Sequence, residues 1–84
     1  MYDVNAGDVL CRIETYELYR ADGTLTIKVQ EVLTESVYKF RAIPCMQLVE
    51  SVEQYQGTGG TAEEALHDCL IKIKDVGLVD GVFP

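Results

Sequence analysis

The residues able to do chemistry are few: one histidine, His67; three cysteines, Cys11, Cys45 and Cys69; and a glycine run, Gly57-Thr58-Gly59-Gly60, ahead of a helical pattern. A nucleophilic thiol needs a base within hydrogen-bond reach. His67 and Cys69 are two residues apart on the predicted helix, so they point to nearly opposite sides. Pairing of His67 with Cys11 or Cys45 stays open. No Cys-x-x-Cys and no Cys/His cluster occurs, so a zinc site has no support. Three small buried thiols are expected instead. The glycine run invites a phosphate-loop reading, because free N–H groups at a helix start bind anions. No Lys-Ser/Thr follows it, and Glu63 and Glu64 would repel phosphate. It reads as a strand-to-helix connector. Neighbouring acids, Glu50 with Glu53 and Glu63 with Glu64, single out no raised pKa. The expectation is no catalytic set, no cofactor and no metal ligand, hence not an enzyme.

Composition narrows the partners. The chain has 84 residues, read as a single domain 1–84, and 48% of them are apolar, enough for a packed core. Fourteen acids against seven Lys and Arg give a formal charge of −7. That balance disfavours phosphate backbones and suits a basic protein partner. No apolar run approaches the roughly 18 residues of a membrane span. The first eight residues hold two acids and no base, unlike a secretory leader. A cytoplasmic protein without a membrane segment is expected.

The elements that must position these groups follow from periodicity. Thr61 and Glu64 fit a capping box. Ala62, Ala65, Leu66, Cys69, Leu70 and Ile73 recur at spacings of three and four, which predicts an amphipathic helix over 62–76 with Gly77 as its C′ residue. Asp68 and Lys72 form an i,i+4 pair. Ile71 falls opposite the apolar stripe, near His67. Upstream, 9–20 and 24–33 read as strands joined by a tight Asp22-Gly23 turn. That turn sets Leu18 opposite Ile27 and Glu17 opposite Lys28. Continued unbroken, it sets Glu14 against Glu31 and leaves Ile13 and Val32 on the polar face. A bulge near Thr15 and Gln30, or cover from a second chain, would resolve the conflict. A third strand, 36–43, puts Tyr38, Phe40 and Ala42 inward and Lys39 and Arg41 outward. The segment 46–56 fits a helix led by Pro44 or a fourth strand, and is read as a strand. The apolar tail Leu78, Val79, Val82 and Phe83 packs on the domain or meets a partner.

The sum is a two-layer α+β domain: an antiparallel meander of four strands with one C-terminal helix on one face. The residues Gly60-Thr61-Ala62-Glu63-Glu64-Ala65-Leu66 resemble the strand-to-helix junction of HicB-type antitoxins and, at a greater distance, of double-stranded-RNA-binding-like folds. The aromatic-Pro-Asp segment ahead of that junction in HicB-type antitoxins is missing here, and no DNA-binding module is expected after it. The resemblance implies binding of a small basic toxin through the sheet. The expected function is protein–protein contact with self-association into a homo-oligomer. The candidate surface is Ile71, His67, Leu78, Val79, Val82, Phe83, Lys39 and Arg41. The alternatives are a nucleic-acid-binding face with Lys28, Lys39 and Arg41, and a small Cys-dependent enzyme.

Overall fold

The computed structural model describes residues 3–34 and 39–84. Strands β1 (Cys11–Arg20), β2 (Gly23–Val32), β3 (Phe40–Met46), β4 (Val49–Glu50) and β5 (Gly57–Gly59) precede helix α1 (Ala62–Ile73). The sheet runs β1-β2-β3, and β4 and β5 share the far edge of β3, all antiparallel. The helix lies over β5, β3 and β2. The two-layer α+β class expected from periodicity is the one observed. The expected Tyr38 position and most of the turn at 34–36 lie outside the described residues.

The core sits between helix and sheet. Leu25, Ile27 and Val29 alternate inward along β2 and meet Ala42, Ala65, Cys69 and Ile73. Leu78, Val82 and Phe83 complete this cluster, each at most 2% exposed. The tail therefore packs on its own domain and is core, so these three residues cannot serve as a contact surface.

Proline chemistry explains the broken far edge. Val32 N–H donates to the Lys39 carbonyl, and the alternation this sets turns the backbone of Pro44 away from β2. The Pro44 carbonyl accepts from Ser51 N–H at 2.9 Å, but proline has no N–H to return. The single fourth strand expected over 46–56 is thus split. After β4 the chain leaves the sheet as a 3-10 turn, Glu53–Tyr55, and rejoins as β5.

The hairpin differs from expectation by two residues. The ladder runs unbroken from Cys11↔Val32 to Arg20↔Gly23, with Leu18 opposite Leu25. The tip is Ala21-Asp22, and the positive φ lies at Gly23, 145°. Asp22 sets this register because its side chain is already engaged. Its Oδ2 accepts from Leu78 N–H at 3.0 Å, and its Oδ1 lies 3.1 Å from Arg20 Nε. Arg20 in turn donates to the carbonyls of Ile73 (3.1 Å) and Val76 (2.8 Å). The hairpin tip thereby satisfies the open C-terminal end of α1. Gly77 carries no positive φ, so the expected glycine C′ cap is replaced by the Arg20 guanidinium. The shift also removes the Glu14–Glu31 conflict without a bulge. Glu14 faces Val29, Glu31 faces Arg12 with N···O 3.5 Å, and Thr15 faces Lys28.

Candidate interaction surface

The glycine run is a packing device. Gly57 and Gly59 face α1, and a Cβ at Gly57 would overlap the Ala65 carbonyl oxygen and the Cys69 amide nitrogen. The N–H of Thr58 between them donates to Asp68 Oδ2 at 3.1 Å. That donor, which an anion site would use, is held by the protein's own carboxylate. Asp68 also meets Lys72 at 2.9 Å. The Lys72 hydrogen bond, then the Thr58 N–H, hold its carboxyl below the usual range. Thr61 accepts from Glu64 N–H at 3.1 Å, as the capping pattern requires.

The thiols stand apart from His67, which is exposed on the outward side of α1 beside Leu66 and Leu70. Cys69 is buried in the core, and burial pushes its thiol up to about 11. Cys11 and Cys45 are half-buried rather than fully enclosed. Cys45 lies on the outer sheet face with Lys28 and Glu50, where burial raises its pKa more than Lys28 lowers it. A thiol so placed is poorly ionised at neutral pH. Among the described residues, no group of three or more His, Cys, Asp and Glu is arranged to hold a metal ion. No helix of these residues is long and apolar enough to cross a membrane.

The cations are mostly engaged by neighbours. Lys28 Nζ bonds Glu50 at 2.8 Å, which raises the lysine and lowers the glutamate. Arg41 donates through Nε to Gln56 Oε1 at 2.9 Å, and Lys72 donates to the Gln56 carbonyl. Lys39 lies over the Phe40 ring, 5.9 Å from its centre. The basic face expected from Lys28, Lys39 and Arg41 is therefore partly neutralised by its own surroundings.

The eight residues expected at a contact surface do not form one patch. Leu78, Val82 and Phe83 are core. Ile71 (59% exposed) and His67 lie on the outward helix face, and Val79 (70%) lies in the tail. Lys39 immediately precedes β3, and Arg41 is its second residue. The richer apolar surface is on β1, where Ile13, Tyr16 and Tyr19 are 50%, 41% and 73% exposed. Ile13 and Tyr19 point to the outer face, Tyr16 to the helix side. The Tyr16 hydroxyl donates to Glu14 Oε2 at 3.1 Å, and Tyr19 donates to Glu17. The sequence signal for this strip is Ile13 lying out of phase. A second apolar knob, Leu48, stands fully exposed at the β3–β4 turn beside Val49. Next to it an open groove of about 400 Å³ is lined by Thr15, Thr26, Lys28, Cys45 and Glu50.

Comparison with protein-family models, with curated proteins and with solved structures finds no match.

Proposed function

We propose that this chain is a small protein–protein interaction module, not an enzyme, that self-associates and offers an acidic surface to a basic partner. The observation that carries the reading is β1: ten residues at a sheet edge, with Ile13, Tyr16 and Tyr19 exposed. Among the described residues nothing pairs with its outer side. A long edge strand with exposed apolar side chains is a template for another chain, and natural proteins cover or blunt such edges. Charge supports the second half of the reading. Arg12, Arg20, Lys28 and Lys72 lie in ion pairs with acids, which leaves a surplus of carboxylates facing solvent.

The test is the mass in solution by light scattering across a concentration series. A dimer or higher closed species is expected at micromolar to millimolar concentration. A strict monomer throughout that range refutes self-association. Salt-dependent retention on immobilised RNA or DNA would favour a nucleic-acid role instead.

A further inference from the structure

We infer that the partner of the β1 edge is the β1 edge of a second copy, antiparallel about a twofold axis at Ile13, with Arg12 of each copy facing Glu14 of the other. This rests on the interaction reading above and names the surface and register.

The two edges of the sheet are not equivalent. The far edge is interrupted between β4 and β5 by the 3-10 turn and by Pro44, so it offers no continuous run of backbone donors. A β1-to-far-edge contact, which would propagate into a filament, has no template. A β1-to-β1 contact is isologous and closes as a dimer.

The phase of the free edge follows from the β1–β2 ladder. Leu33 N–H donates to the Leu10 carbonyl at 2.8 Å, in line with the Arg12↔Glu31 and Leu18↔Leu25 pairs. Antiparallel pairs alternate in hydrogen bonding, so even-numbered β1 residues turn their backbone groups to β2. Cys11, Ile13, Thr15, Glu17 and Tyr19 turn theirs outward.

Charge then selects the register. A twofold at Arg12 sets Arg12 against itself, and one at Glu14 or Glu17 sets a glutamate against itself. One at Tyr16 sets Arg12 against Arg20. One at Thr15 sets Glu14 against Tyr16 and Arg12 against Leu18, with no opposite charges paired. Only the twofold at Ile13 pairs Arg12 with Glu14, twice, with no like charges directly across. It also places Ile13 on Ile13 and Leu10 on Tyr16, joining apolar side chains that the single chain leaves partly or largely exposed. The Arg12–Glu31 contact within one chain is long, 3.5 Å, with Arg12 66% exposed, so Arg12 gives up little in turning to the second copy.

Sedimentation equilibrium on the full chain tests this with Arg12→Glu, Glu14→Arg and the double swap. Each single reversal replaces two attractive pairs by two repulsive ones and is expected to weaken the dimer roughly ten- to hundredfold. The double swap restores the pairing and is expected to return the dimer constant to near the wild-type value. A second measurement does not depend on charge. Position 15 lies opposite the natural Cys11 of the other copy, so Thr15→Cys should give a disulfide-linked dimer through Cys11 on mild oxidation. Tyr19→Cys, which a twofold at Thr15 would bring to Cys11, should not. A dimer indifferent to both single reversals, or one crosslinked through Tyr19→Cys, overturns this register while leaving self-association standing. A monomer at all concentrations removes the self-association reading itself.

Discussion

Replacing Gly57 by alanine should cost about 3 kcal/mol or more of stability, although the added group is one methyl. Gly57 is buried, and its φ is outside the left-handed region, so alanine meets no backbone penalty there. The penalty is steric. The new Cβ would overlap the Ala65 carbonyl oxygen and Cys69 N and lie 3.0 Å from Cys69 Cα. All three are helix backbone atoms, which cannot rotate aside. Ordinary carbon contacts of about 3.5 Å or more then require α1 to lift by roughly 1 Å. A gap of that size forfeits up to half the dispersion energy at each contact of Ala65 and Cys69, both fully buried. For a domain of this length, about 3 kcal/mol lowers Tm by roughly 12–24 °C. Gly59 and Gly60 provide the internal scale. A Cβ at Gly59 meets Glu64 Cβ at 2.6 Å and Ala65 N at 2.8 Å, whereas one at Gly60 meets only the end of the Glu64 side chain at 3.5 Å. Urea unfolding followed by far-UV circular dichroism should rank the losses Gly57→Ala, then Gly59→Ala, then Gly60→Ala near zero. If Gly57→Ala lies within about 0.5 kcal/mol of wild type, the idea that these glycines seat the helix is wrong.

Arg20→Met should destabilise by about 1.5–3 kcal/mol, since it strips two charge-assisted hydrogen bonds from the Ile73 and Val76 carbonyls; thermal unfolding checks it. The Leu78 N–H and then Arg20 hold Asp22 below its ordinary pKa, and Asp68 and Glu50 are lowered as well. A depressed folded pKa gives stability that is present above the ordinary carboxylate range and lost as pH falls through the folded values. Tm should therefore drop on acidification below about pH 4, and less steeply in Asp22→Asn; an identical acid slope would rule Asp22 out as a contributor. Cys69, pushed to about 11 by burial, should resist iodoacetamide at pH 7.5 while Cys11 is modified, as read by mass spectrometry of peptides; equal rates would contradict its burial.

The helix is the most legible element, because its stripe, its Thr61 cap and its Asp68–Lys72 pair all depend on spacings of three and four. Those are local and survive any tertiary context. The hairpin is legible as a hairpin but not in its register. Local turn preference places Asp22-Gly23 at the centre, but Asp22 is claimed by Leu78, 56 positions later, and a Cβ at Gly23 would stand 3.2 Å from the Leu78 side chain. A contact at that separation leaves no local trace. The fourth strand departs from expectation for a different reason. Pro44 is visible, but which neighbour its missing N–H deprives depends on the phase of the β2–β3 ladder. The tail is apolar in either case, packed or partnered, and apolarity alone does not separate the two. The exposed apolar strip on β1 shows itself only as an inconsistency: Ile13 sits on the wrong face for any register that buries Leu18.

The bareness of β1 on its other face, the helix side, has a separate, geometric origin. A helix is about 10 Å across, and strands are about 4.8 Å apart, so one helix covers two or three strands. Here the sheet is four positions wide, counting β4 and β5 as one, and α1 sits toward β5 and β3 because Gly57 and Gly59 let it approach closely there. The strand at the opposite edge is left without a roof. On its helix side, Arg12, Glu14 and Tyr16 are exposed although Val29 and Ile27, directly across from Glu14 and Tyr16, are buried. Moving the helix toward β1 would cover Tyr16 but would open the Ala65–Gly57 contact. The same glycines that seat the helix thus determine which strand stays bare, and the bare strand is the one on which the proposed self-association rests.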